Sequence, residues 1–272
     1  MREPKLDPRF EIRRLGGEHI EWAKAIFVHC NITKSSVWSR LQPDDKTKAQ
    51  LAYQQYQTAD HLVRHAILSG ISYGVFDREY MYKYPESEAS GGKLHWDMAD
   101  VSATEEQLLQ QMDFPLVSIA MSCDNANYVD MKQLDSFISV LPCFGHAVSH
   151  MNSLDTRTEE QKTQGRVLQR VGTSTRSDYQ QRGLMRTMAY WVMDEAARLG
   201  YDAIEIPCVN SSVIRIWGNP PSPYRASILS EFNIRDYEVE EKGVKTKPYR
   251  HVDQIMCKIR VELTEGSSGH TA

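Results

Sequence analysis

Between Val171 and Met185 the chain reads Val-Gly-Thr-Ser-Thr-Arg-Ser-Asp-Tyr-Gln-Gln-Arg-Gly-Leu-Met, a strand-like run, then a polar loop that opens directly onto a helical pattern. That order makes an anion site. The first N–H groups of a helix have no partner within it, and the aligned peptide dipoles place partial positive charge there. Gly183 adds a position without a Cβ, so an anion as large as a diphosphate can approach the main chain. Spacing alone leaves an ordinary strand-to-helix connector as the competing reading. No Gly-Lys-Ser/Thr follows, which excludes a Walker A loop, and the Gly-x-Gly-x-x-Gly pattern of a dinucleotide fold is absent.

Other residue patterns point to weaker chemistry. His61 with His65, and His146 with His150, stand four apart on helical segments, a spacing that suits zinc. Neither pair carries the Glu of a His-Glu-x-x-His motif and no third ligand is indicated, so they read as surface or core histidines and no metal is expected. His150 is kept as a candidate water-relay base. Cys30, Cys123, Cys143, Cys208 and Cys257 show no Cys-x-x-Cys spacing. Cys123 and Cys208 end apolar strands, where small buried hydrophobes belong; a thiol nucleophile working by ping-pong would need a histidine partner. Tyr73 and Tyr82 are candidates for an acceptor pocket.

The turn Gln180-Gln181-Arg182-Gly183-Leu184-Met185, preceded by Tyr179, resembles the Q/R-x-x-G-x-G/A signature of the GNAT acyltransferase superfamily, with Met185 where Gly or Ala is usual. The match extends over about 166–217. It implies that 167–175 is the fourth strand of that fold, 203–208 the fifth, and that Asn210 opens the next helix. It further implies acetyl-coenzyme A as cosubstrate, with the diphosphate on the main chain of Gln180 to Met185, the pantetheine arm beside Thr173 and Thr175, and a contact from Asn210. An N–H of that strand would polarise the thioester carbonyl, whose oxygen gains charge as an amine attacks.

A base for the amine proton and an acid for the leaving thiolate remain to be found. The family often places a Tyr seven residues beyond the Asn, but Trp217 stands there, and an indole donates without shuttling protons. Tyr224 is the nearest substitute. Glu205 interrupts the apolar run Ala203-Ile204-Glu205-Ile206, where desolvation would raise its pKa and suit it to act as base; the competing reading is a residue on a wet strand face. Asp124, at the end of the strand containing Met121, is a second carboxylate candidate. The predicted reaction is direct acetyl transfer to a small-molecule amine in a ternary complex. The alternatives are a protein or peptide N-acetyltransferase and, because of Trp217, a non-catalytic acyl-CoA-binding module.

The elements that must position these residues follow from periodicity. Alternation over 10–15 predicts a first strand, and Ile20, Trp22, Ala23, Ile26 and Phe27 predict a helix over 18–30. One long helix is expected from Pro43-Asp44 to Gly70, then strands at 71–76 and 116–121. The region 131–150 reads as helix broken near Pro142, and 155–165 as a polar connector. Leu184, Met188, Trp191, Val192, Ala196 and Leu199 form the buried stripe of a helix capped by Gly200, and Val213 to Trp217 a short helix. Further strands are expected at 234–239 and 251–261.

At 272 residues, 41% hydrophobic and 25% charged, the chain has an ordinary globular composition. A net charge of −4 without a basic run argues against nucleic acid or anionic lipid as partners. The start of the chain lacks the apolar core of a secretory signal, and no segment is apolar for the ~18–20 residues that span a bilayer. The scattered cysteines read as reduced, so a cytoplasmic monomer or homodimer is expected. The fold class is mixed α/β: one GNAT-like domain over 1–263, with a twisted, largely antiparallel sheet flanked by helices and splayed between the fourth and fifth strands. Insertions are expected at about 78–113, flexible around 87–92, and at about 124–165, with a flexible tail at 264–272. Such insertions can roof a concave pocket, which favours a small acceptor.

Overall fold

The computed structural model describes residues 6–41, 45–241 and 243–263. Pro43-Asp44 and the tail 264–272 lie outside the described residues. Seven strands make the main sheet: β1 (Phe10–Arg14), β2 (Tyr73–Asp77), β3 (Leu116–Asp124), β4 (Val167–Thr175), β5 (Ala203–Cys208), β6 (Arg225–Asn233) and β7 (Ile255–Glu262), in the order β1-β2-β3-β4-β5-β7-β6. Every neighbouring pair is antiparallel except β4 with β5. Central strands β2 and β3 are buried along nearly their whole length, which is why they read as continuous apolar runs instead of alternating ones.

One face of the sheet carries α1 (Ile20–Thr33), α2 (Asp45–Thr58), α3 (Asp60–Leu68) and α4 (Pro142–Ser153) over a core that includes Ile26, Val63, Phe114 and Met121. The other face carries α5 (Leu184–Arg198) and α6 (Ser211–Trp217) over Val75, Leu168, Met188 and Ile259. In α5, Leu184, Met188, Val192 and Ala196 are buried while Arg186, Asp194 and Arg198 are exposed, as the 3.6-residue period requires. Leu199 caps the helix and Gly200 follows at φ +79°.

Several boundaries differ from the pattern reading. The long helix expected up to Gly70 is two, divided at Ala59, with Asp60 at the head of α3 drawn to Lys24 and Arg64. The stretch 87–92 ends a short helix over Pro85–Ser90 and is anchored at its two ends, with 88–91 exposed between them. Ser87 is buried and bonded to His95 at 2.8 Å, and a Cβ on Gly92 would press on Phe114 and Trp22. Asp113 pins this segment by accepting the main-chain N–H groups of Lys83 and Tyr84.

Strand β6 was not anticipated. It forms the sheet edge, is mostly solvent-facing, and its Arg-Ala-Ser-Ile-Leu-Ser-Glu-Phe-Asn sequence lacks the apolar alternation that betrays a half-buried strand. Where a strand was expected at 234–239, Ile234–Asp236 makes a 3-10 turn, and Val239–Glu241 pairs with Val244–Thr246 in a separate hairpin. No helix among the described residues is long and apolar enough to cross a membrane.

Candidate active-site cleft

The cleft begins where β4 loses a neighbour. Of the nine residues of β4, only Val167, Leu168 and Gln169 pair with β5, opposite Ala203, Ile204 and Glu205. From Arg170 onward the strands splay, so the β5-facing edge of β4 keeps main-chain groups that no strand satisfies. On its other edge β4 stays paired with β3, and the register slips by one between Gly172 and Arg170, bulging Val171. At Gly172 a Cβ would stand 2.9 Å from Met121 Cε and 3.2 Å from Phe27, so a side chain there would have to displace the end of Met121 and press on the Phe27 ring.

The turn after β4 is held from several directions. Tyr179 donates its hydroxyl to Asp77 at 2.6 Å, and Asp77 is also gripped by Arg9. Arg176 is buried and donates to the carbonyls of Met112 and Phe114 while pairing with Asp178. Gln181 and Gly183 both take left-handed conformations, at φ 64° and 76°. Gly183 is the N-cap of α5 and no side chain caps that end; the first helical bond runs from Thr187 N–H to Gly183 C=O at 3.1 Å. Among the described residues no bond outside the helix claims the amides of Leu184, Met185 and Arg186, and all three residues line the cleft, the arrangement that suits an anion.

Two connected spaces result. The outer cleft is lined by Thr173, Thr175, Gln180, Gln181, Gly183, Leu184, Met185 and Asn210, all of them residues expected at the cofactor site. Arg182 is the exception: its guanidinium lies over the Tyr179 ring, 5.3 Å from the centroid. Met185, the departure from the signature, lines the cleft. Asn210 caps α6 by accepting from Ser212 N–H at 2.8 Å and donates to Ser36. The inner space, much the smaller, is mostly apolar, with Phe27, Trp38, Phe144, Ile206 and Val213 in its walls. Trp38, Thr173, Val209 and Val213 border both.

The three residues expected to do proton chemistry lie elsewhere. Glu205 sits where β4 and β5 are still paired, buried among Arg157 at 2.8 Å, Arg260 at 3.0 Å and Lys258 at 3.2 Å, with Gln169 also donating to it. Burial alone would lift its pKa, but the bonds and charges of Arg157 and Lys258 outweigh it and hold the carboxyl at about 2. That corrects the expectation of a raised pKa: such a carboxylate is a poor proton acceptor and is not in the cleft lining. Asp124 is opposite Leu168, at the closed end of the splay, and accepts from Tyr201 at 3.0 Å. Tyr224 donates to Asp194 on the outer face of α5 at 2.7 Å. Trp217 is buried in the core.

The remaining candidates are structural by their contacts. His146 bonds to Tyr249 at 2.7 Å, and His150 packs edge-on against Phe232 with its pKa lowered by burial. Tyr73 donates to Glu195 and Tyr82 packs on Tyr80, both outside the cleft lining. Burial pushes the thiols of Cys123 and Cys208 up, so neither is poised as a thiolate.

Sequence reading missed the wall opposite the turn. Cys30 and Asn31 from the last turn of α1, Lys34 at its C-cap, and Ser35 and Trp38 after it line the cleft, and Lys34 pairs with Glu105. Cys30 donates to Thr175 C=O at 3.2 Å, and burial raises its thiol to about 12. Arg170 was missed as well. No motif marks these residues; they are assembled by the packing of α1 against β4, which no local pattern records.

No family model and no curated protein sequence matches this chain. Solved structures do. The C-terminal condensation domain of Ebony, in complex with β-alanyl-dopamine, aligns with a TM-score of 0.59 over 92% of this chain and 98% of its own, at 14% identity. Arylalkylamine N-acetyltransferase 2 from Aedes aegypti aligns at 0.52 over 94% and 99%, at 10% identity. The polyamine N-acetyltransferase of Drosophila melanogaster aligns at 0.51 over 93% and 99%, at 8% identity. Identities this low speak for architecture. With its strand order, its single parallel pair and the splay beside the turn, this chain has the fold of the GNAT N-acetyltransferases.

Proposed function

We propose that the chain, acting as one domain over 1–263, transfers an acetyl group from acetyl-coenzyme A to the amine of a small molecule by direct attack in a ternary complex. One observation carries this reading: unclaimed amides at the head of α5 stand at one end of a cleft that runs along the unpaired edge of β4 to an apolar pocket. Those three surfaces suit a ligand that is anionic at one end, amide-bearing along its arm and small and apolar at the other.

In this scheme the amides from Gln181 to Met185 take the diphosphate, Thr173 and Thr175 run beside the arm, and Asn210 contacts it. A β4 N–H polarises the thioester carbonyl, and it acts more strongly on the charged transition state than on the ground state. No carboxylate or imidazole lines either space among the described residues, so the acceptor amine enters neutral and loses its proton to water. The scheme needs no metal. The named ligand of the Ebony domain and the named substrates of the two insect enzymes are small amines or their acyl products, which favours a small acceptor over a peptide.

A second reading, a non-catalytic acyl-CoA binder, draws on the same empty lining and on the burial of Trp217 where the family often has Tyr. Calorimetry with acetyl-coenzyme A and thiol release with a panel of amines and peptides separate the readings. Binding with release from small amines supports the first, binding without release from any acceptor supports the second, and no binding overturns both.

A further inference from the structure

Several arginines of this chain bind a carboxylate in one way, and the fully buried Arg170 departs from it. Arg9, Arg157, Arg176 and Arg198 each turn the edge carrying Nε and Nη2 onto a carboxylate, gripping Asp77, Asp155, Asp178 and Glu195 with paired bonds of 2.6–3.2 Å. Arg170 does not. Its side chain is fully buried, yet among the described residues no carboxylate pairs with it. Nη1 donates to Met121 C=O and to Ser122 Oγ, Nη2 donates to Thr173 Oγ1 at 2.7 Å, and Nε has no partner. The Nε–H of that edge is thus unpartnered among the described residues, and Nη2 has a second N–H beyond the one given to Thr173.

Position makes this exception informative. Arg170 is the first residue of β4 past the last pairing with β5, and it contributes to the wall of the inner pocket. The rest of that wall is largely apolar, and the Trp217 ring, 5.8 Å away, is its other neighbour of note. Burying a guanidinium without a counter-ion is costly, and methionine or leucine would pack against Trp217 without that penalty. Desolvation shows in the guanidinium itself, whose pKa falls to about 9. A planar guanidinium with an unpartnered Nε–H and a further N–H on Nη2 suits a carboxylate, which such a fork grips with two parallel bonds.

We propose that the inner pocket takes a ligand bearing a carboxylate, which docks on the free Nε/Nη2 edge of Arg170. This deepens the acyltransferase reading and rests on it. The carboxylate has two possible sources with the same chemistry: the acceptor, as in an amino acid, or the far end of the acyl group, as in a dicarboxylic acyl donor.

The test uses pairs that differ only by that group. Tyrosine against tyramine probes the acceptor arm, and succinyl-coenzyme A against butyryl-coenzyme A probes the donor arm, each by calorimetry and by thiol release. Wild type is expected to favour the carboxylate member by about tenfold or more in one arm, the size of a charge-assisted fork, and Arg170→Met to abolish that preference while still binding butyryl-coenzyme A. A purely structural Arg170 would move the melting temperature and leave the preference untouched. Equal handling of both members in both arms by wild type overturns the proposal, as does a preference that survives in Arg170→Met. Should that variant fail to fold, the wild-type preference and Arg170→Gln still decide. If no coenzyme A thioester binds wild type at all, the acyltransferase reading falls and the proposal with it, an outcome distinct from binding without preference.

Discussion

The side-chain amide of Gln180 donates to the carbonyl of Thr175 at 3.2 Å, tying the first residue of the turn to the last residue of β4 across the mouth of the cleft. The same carbonyl accepts the Cys30 thiol, so the turn, the strand and the last turn of α1 meet at one oxygen. Gln180→Ala removes one tie and leaves the others. Acyl-coenzyme A affinity should fall roughly fivefold, about 1 kcal/mol for a single neutral bond, with little change in melting temperature. Calorimetry beside a thermal melt checks both.

Gly183 carries the sharpest prediction about the anion site. Its φ of 76° strains any side chain with a Cβ, by roughly 1–2 kcal/mol, although nothing stands within 4 Å of a Cβ placed there. Asn and Asp both tolerate that conformation and differ in charge. Gly183→Asn should weaken acetyl-coenzyme A binding modestly, and Gly183→Asp should abolish it while the protein still folds. Equal affinities for the two variants would show that no anion rests on these amides.

Glu205 predicts an acid-sensitive fold. Its folded pKa, about 2, lies below its ordinary 4.5, so its contribution is fully present above about pH 4.5 and is lost as pH falls towards 2. A shift of this size corresponds to roughly 3 kcal/mol. Urea midpoints between pH 6 and pH 3 should show the loss. Glu205→Gln should be destabilised at neutral pH, because Arg157, Lys258 and Arg260 each lose one of their carboxylate partners, and should lose much of the acid dependence. Turnover per folded molecule should persist, changed only as far as the gap between β4 and β5 changes, since Glu205 is not in the lining.

Rate and pH should follow the acceptor. With no titrating carboxylate or imidazole in the lining, kcat/KM should climb as the amine deprotonates, so a series of amines of falling pKa should shift the profile in step. A fixed inflection near neutrality, independent of the amine, would reveal an enzyme base instead.

Cys30 lines the cleft with its thiol raised to about 12, so it is protonated at working pH and a poor nucleophile. Mass spectrometry after incubation with acetyl-coenzyme A alone should find no acyl-enzyme, and Cys30→Ala should keep most activity. A stable thioester adduct on Cys30 would replace direct transfer with a two-step reaction.

The part of this molecule legible in its sequence is the part whose physics is local. The run from Val167 through the turn to α5 and β5 declares itself by β-branching, a glycine at a helix head and a 3.6-residue stripe, and the family resemblance carried by that turn pointed to most of the residues that line the outer cleft. Glu205 shows the limit. Its apolar neighbours correctly predicted burial, but its charge state is decided by Arg157, far earlier in the chain, and by Lys258 and Arg260 on β7. Arg170 likewise looks unremarkable in Val-Leu-Gln-Arg-Val. Only the parting of β4 from β5, a tertiary event, shows that the residue is buried and unpaired.

The ionic knot of Asp155, Glu205, Arg157, Lys258 and Arg260 lies beside the last rung shared by β4 and β5. It works as a rivet at the apex of a wedge. The gape between the two strands is then set by charges that never meet a ligand, and substitutions there would retune how wide the jaws stand without altering a single residue of their inner surface.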